Sequence, residues 1–184
     1  GYDWVNDKGE KKTGYFRYWA PGKVIEQNGT YYLYVTFVKP DEKMGTYVMI
    51  ADRPDGPFRF AEGNGLFAPG VEGVDSPFIV NDIDGEPFID DDGNGYLFWR
   101  RRLAARLSAD RLHIEGEPLT MQTARQGYSE GPLMFKRKGI YYYVYTLSGN
   151  QNYVNAYMMS RESPLSGFVK PEGNDIFLFS APEN

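Results

Sequence analysis

Lys138-Gly139-Ile140-Tyr141-Tyr142-Tyr143-Val144-Tyr145 reads as a tight polar turn that hands the chain to an aromatic strand. The phrase occurs twice upstream. Asn28-Gly29 precedes Tyr31-Tyr32-Leu33-Tyr34-Val35, and Asp92-Gly93 precedes Tyr96-Leu97-Phe98-Trp99. Around each copy, a short apolar run comes before the turn and a later run ends in a Pro/Gly corner. A fixed phrase repeated at intervals of tens of residues marks stacked supersecondary units. Every unit here is made of strands, which points to the blades of a β-propeller.

Working outward, the first unit spans about residues 19–60, with strands at Lys23-Val24-Ile25, Tyr31 to Phe37 and Thr46 to Ala51, closed by the corner Asp52-Arg53-Pro54-Asp55-Gly56-Pro57-Phe58. The second spans about 75–118, with strands near Pro87-Phe88-Ile89, Tyr96 to Trp99 and Ala104 to Leu107. The third spans about 128–169, and its stretch from Ala156 to Phe168 echoes Tyr47 to Phe58. Ile176-Phe177-Leu178-Phe179 is expected to start a further blade over 176–184. Helical periodicity is nearly absent. Arg100 to Leu112 could form a basic helix, but Leu103, Ala105 and Leu107 alternate as in a strand. Propellers have about four to eight blades. The 184 residues are therefore expected to be an interior part of a larger propeller, with about three blades present and the rest supplied by the remaining polypeptide.

Composition narrows the class. The 15 Tyr and 12 Phe suit half-buried pleated strands. A net charge of -5 argues against a nucleic-acid partner, which needs a basic face. With no cysteine, disulfides and thiolate metal sites are excluded. No apolar run approaches the roughly 18 residues of a membrane span, and no signal peptide opens the sequence at Gly1-Tyr2-Asp3-Trp4.

In a propeller blade, the start of the inner strand and the end of the second strand share one mouth of the central channel. That geometry selects Trp19, Asp84 and Glu130 at strand starts, and Phe37, Trp99, Arg100 and Ser148 at second-strand ends. Of Arg100 to Arg102, strand alternation turns at most one or two toward the channel. Carboxylates, an arginine and indole faces in one funnel suit a sugar, whose C–H faces pack on rings while its hydroxyls bond charged groups. Two carboxyl groups are also the minimum for glycoside cleavage, one protonating the leaving oxygen and the other activating water or attacking the anomeric carbon. The Asp90-Asp91-Asp92-Gly93 run reads as a hairpin turn and not as a metal site, and His113 as an exposed strand residue.

Tyr18-Trp19-Ala20-Pro21, Ile83-Asp84-Gly85-Glu86-Pro87-Phe88-Ile89-Asp90-Asp91-Asp92-Gly93 and Ser129-Glu130-Gly131-Pro132, in that order and at blade spacing, resemble successive motifs of glycoside hydrolase family 43. The resemblance runs from Tyr18 to about Phe168. It implies an all-β, five-bladed propeller and an inverting β-xylosidase, α-L-arabinofuranosidase or arabinanase. Glu130 then takes the general-acid position. Asp84 takes that of the aspartate that tunes the acid and holds the substrate, while Trp19, Trp99 and Arg100 are expected to bind substrate. The resemblance implies no required cofactor, allows a structural calcium, and implies a carbohydrate substrate and secretion or periplasmic export. The general base is expected outside these residues, since Asp3 and Asp7 lie in what reads as a loop entering the next blade. The family usually has Pro after the tuning aspartate, where this chain has Gly85, so Asp82 and Asp75 stay open as alternatives. Two other readings remain beside the enzyme: a carbohydrate-binding propeller without catalysis, and a protein-interaction propeller, which the acidic and aromatic funnel disfavours. Fructan-cleaving propellers carry Cys where Gly131 sits here.

Overall fold

Aromatic and β-branched residues crowd Thr30 to Val38, where a pleated backbone gives them two faces to fill. The computed structural model, which describes residues 2–6, 8–14, 17–38, 43–61, 78–148 and 153–179, makes this stretch the strand β4 (Thr30–Val38). It is the second strand of an antiparallel meander with β3 (Arg17–Gln27), β5 (Met44–Ala51) and β6 (Arg59–Phe60). Gln27 pairs with Thr30, so Asn28 and Gly29 alone make the turn, at φ 53° and 80°. Positive φ at both central positions is what a two-residue hairpin requires, and Asn-Gly supplies it at little steric cost. β3 slips register on either side of Pro21, whose ring nitrogen cannot donate to the ladder.

The chain divides into two units, residues 1–85 and 86–184. The first holds this sheet and a separate hairpin of β1 (Tyr2–Val5) and β2 (Lys11–Gly14). One buried apolar cluster in it is Val35, Phe37 and Tyr47, with Leu33, Met49, Phe60 and Phe78 against them. Phe37, expected at a channel mouth, is instead fully buried, its ring edge-on to Tyr47 at 5.3 Å. Asp3, expected in a loop, lies in β1, where its Oδ1 accepts a hydrogen bond from Thr13. Asp7 and Asp75 lie outside the described residues.

The second unit contains two four-stranded sheets. One is β7 (Glu86–Ile89), β8 (Gly95–Trp99), β9 (Leu103–Leu107) and β10 (Ile114–Thr120). The other is β11 (Leu133–Arg137), β12 (Ile140–Leu147), β13 (Val154–Ser160) and β14 (Ile176–Phe179). β14 corrects an expectation. It opens no further blade but pairs with the free edge of β13, Ala156 opposite Ile176 and Asn155 opposite Leu178. The Asp175 carbonyl accepts the Tyr157 amide just before β14 and so directs the strand onto that edge.

The two sheets of this unit share one core. Phe88 and Phe98 of the first meet Tyr141 and Tyr143 of the second, with ring centroids 6.2 and 5.9 Å apart. Each such pair contributes roughly 0.5–1.5 kcal/mol beyond the area it buries. Below the rings, Asp90 of the β7–β8 turn takes hydrogen bonds from Lys136 Nζ at 2.8 Å and from the Tyr141 hydroxyl at 2.6 Å. Burial pushes the Asp90 carboxyl up, but these donors outweigh it and hold it below the ordinary carboxylate range. The acidic turn is thus a clamp between sheets.

Candidate active site

Polar side chains inside strands of aromatic residues are costly unless bonded. Thr36 and Thr46 are two such residues, fully buried and directly opposite one another on β4 and β5. Their hydroxyls hold the segment that carries Asp84. Thr36 Oγ1 accepts the Asp84 amide at 3.1 Å, and Thr46 Oγ1 accepts the Gly85 amide at 3.2 Å while donating to the Asp82 carbonyl at 2.9 Å. Farther up the segment, Thr46 exchanges backbone bonds with Ile79 and Val80. Asp84 itself sits in the left-handed region at φ 64°. Strain of that kind persists only where the surroundings over-determine it, and it gathers at functional sites.

The same clamp accounts for the departure from the usual motif. A Cβ on Gly85 would lie 2.4 Å from Thr46 Cγ2, so no larger residue fits there without displacing a fully buried side chain. Asp82, the alternative, is buried, and its Oδ1 takes the Ile83 amide, a local turn bond. Trp19 pairs in register with Thr36, which puts it on the same row of the sheet as the clamp, and it is 51% exposed. An indole so exposed at the end of a strand can pack on a sugar face.

In the second unit, Glu130 is fixed through its backbone. Ser129 donates to the Thr146 carbonyl at 2.8 Å and Thr146 donates to the Glu130 carbonyl at 3.0 Å, which ties the segment to the end of β12. Gly131 then turns at φ 62°, where a Cβ would come within 3.0 Å of Thr146 Oγ1. Pro132 is buried and leads into β11, and the Glu130 side chain is half-buried. A carboxyl held by its backbone but not enclosed can meet a ligand and still be partly desolvated.

Trp99 was expected to bind substrate, but its ring is covered. It is 3% exposed at the end of β8 and belongs to the buried interior. Strand alternation fails just after it, because Arg100–Arg102 forms a short 3-10 turn with Arg101 and Arg102 at φ 66° and 63°. As a result Arg100, Arg101 and Arg102 all line one cavity of about 520 Å³, together with Thr123, Arg125 and Ser129. Arg125 was not evident from sequence. Its guanidinium makes a two-pronged bond to the fully buried Asp175 at 2.8 and 2.6 Å, across 50 residues of chain. That pairing holds the Asp175 carboxyl below its ordinary range. Thr36 and Thr46 were also missed, although a threonine within an otherwise apolar strand was a readable sign. Ser148 is exposed, and its amide bonds the Gly127 carbonyl. His113 is exposed, but it lies in a bend just before β10 and not in a strand. Among the described residues, no group of three or more His, Asp or Glu side chains is placed to hold a metal ion.

Residues 3–184 match the family model described as glycosyl hydrolases family 43. A curated relative, the β-D-galactofuranosidase xynD of Aspergillus niger, is 30% identical over 168 residues, which cover 86% of this chain and 47% of that protein. A solved glycoside hydrolase superposes with a TM-score of 0.77 at 42% identity, covering 88% of this chain and 36% of that one. An α-L-arabinofuranosidase from Clostridium thermocellum superposes with a TM-score of 0.63 at 27% identity, covering 83% and 50%. The chain therefore spans half or less of the length of each of these relatives. The structural neighbours are five-bladed β-propellers, and the three four-stranded sheets seen here follow that architecture.

Proposed function

Since the chain belongs to glycosyl hydrolases family 43, we propose that it forms part of an inverting glycoside hydrolase acting on arabinose- or xylose-containing plant polysaccharides or their oligosaccharides. The observation that supports it most is the backbone mounting of Glu130, with Gly131 and Pro132 behind it, at the end of β12. Glu130 in its acid form gives its proton to the glycosidic oxygen as the C–O bond breaks. A carboxylate from outside these residues takes a proton from water as that water attacks the opposite face of the anomeric carbon, which inverts it. Asp84 is assigned the part of the family's second aspartate, which tunes the acid and holds the substrate. Trp19 packs on the sugar. Each step uses carboxyl groups alone. A polymeric substrate places the reaction outside the cytoplasm, by secretion or periplasmic export.

The test is a screen of the complete protein on aryl α-L-arabinofuranoside, aryl β-D-xyloside, aryl β-D-galactofuranoside and linear arabinan, with NMR of the first-formed product. Cleavage of an arabinoside or xyloside with inversion supports the reading. Retention, or sugar binding with no turnover on any of them, would overturn it, the latter in favour of a carbohydrate-binding propeller.

A further inference from the structure

Resting on that reading, we infer that the arginine-lined cavity beside Glu130 binds the carboxylate of a uronic acid unit carried by the polysaccharide. The chain as a whole is acidic, with a net charge of -5. Yet four arginines, Arg100, Arg101, Arg102 and Arg125, line this one cavity, Arg125 being paired with the buried Asp175, and no Asp or Glu lines it among the described residues. Gathering like charges costs self-repulsion, and arginine stays protonated at any working pH. Two further costs are visible in the backbone. Arg101 and Arg102 are consecutive residues in the left-handed region, at φ 66° and 63°, each disfavoured for a non-glycine residue by roughly 1–2 kcal/mol. An extended backbone there would have sent alternate side chains to opposite faces. With the turn, all three residues line the one cavity.

The cavity is also built to hold its shape. Arg125 is fixed by the buried Asp175, and Arg102 Nη1 bonds Thr123 Oγ1 at 3.3 Å. Its volume of about 520 Å³ falls within the roughly 300–1,000 Å³ of small-ligand sites. Its lining runs to Ser129, whose neighbour is the proposed acid Glu130, so a ligand there lies within a sugar unit or two of the bond to be cut. Planar guanidinium groups pair with carboxylates through two parallel bonds. On a plant polysaccharide the group that offers this is the C6 carboxylate of a uronic acid.

The experiment uses the complete protein and two arabinoxylo-oligosaccharides that differ only in one glucuronic acid branch. At low salt, kcat/KM for the acidic member should exceed that for the neutral one by about tenfold, and the ratio should fall in 0.5 M NaCl as screening shortens the reach of the charges. Arg101→Gln should bring the ratio close to one, mainly through KM. Arg106→Gln removes the same charge from exposed Arg106, which does not line the cavity, and should keep the ratio. Equal wild-type rates on the two substrates, or equal loss in both variants, would overturn the inference. If neither oligosaccharide is cleaved while an aryl glycoside or arabinan is, the hydrolase reading stands and arabinoxylan is not the substrate; if none is cleaved, the hydrolase reading fails by itself. Calorimetric titration with the acidic oligosaccharide then decides: binding lost in Arg101→Gln supports the subsite, and no wild-type binding overturns it.

Discussion

Gly85→Ala is the sharpest probe of how Asp84 is held. The added Cβ would stand 2.4 Å from Thr46 Cγ2 and 2.9 Å from its Oγ1, where Thr46 is fully buried and cannot swing away. Overpacking of this kind costs about 1–3 kcal/mol. Melting should fall by several degrees, at roughly 2–4 °C per kcal/mol for 150–250 residues and less for a longer chain. The displaced segment also carries the Asp84 amide away from Thr36 Oγ1, so kcat/KM should fall with stability. Gly85→Pro, which installs the residue usual in the family, should do worse, because it also removes the amide that bonds Thr46 Oγ1. Thr46→Ser deletes Cγ2 and keeps the hydroxyl, so the double variant should recover part of the loss, a coupling that a double-mutant cycle reads directly. Thermal unfolding of the complete protein followed by circular dichroism is the assay. An alanine variant melting within about 1 °C of wild type, with unchanged kcat/KM, would refute the close approach.

Burial separates the two tryptophans. Trp99→Ala should cost about 3–5 kcal/mol in urea denaturation. Trp19→Ala should leave the denaturation midpoint near wild type and raise KM, and the opposite pattern would reverse the two assignments. Asp90 and Asp175 both titrate below their ordinary value, so each adds stability that is present above about pH 4 and drains away as pH falls through its lower native pKa. Asp90→Asn and Asp175→Asn should each flatten the loss of stability between pH 7 and pH 3, and an acid slope equal to wild type would contradict the clamps. Asp84→Asn should lower kcat/KM on natural oligosaccharide by about 10²-fold or more while leaving the melting temperature near wild type. A variant as active as wild type would take Asp84 out of the site.

Strand positions were legible because they follow from neighbouring residues. Asn28-Gly29 set one hairpin and Asp92-Gly93 another, and the tyrosine runs between them could bury only as pleated strands. Long-range pairings left little trace. β14 was misassigned because nothing in Ile176–Phe179 states which edge it joins, and the decision rests on Asp175 reaching Tyr157 and Arg125. Arg100 to Arg102 misled for a different reason: alternation assumes a strand, and two left-handed residues cancel it. Trp99 stood at a plausible rim position yet turned inward, since position along a strand does not reveal which face is covered.

Glu130 as proton donor is the claim on which the rest stands, and leaving-group dependence tests it most directly. In the complete protein, Glu130→Gln should lose about 10²–10⁴-fold in kcat on natural oligosaccharide. On aryl glycosides its loss should shrink steadily as the departing phenol becomes more acidic and needs less protonation. A variant that cleaves the natural substrate at the wild-type rate, or whose loss is the same for every leaving group, would contradict it.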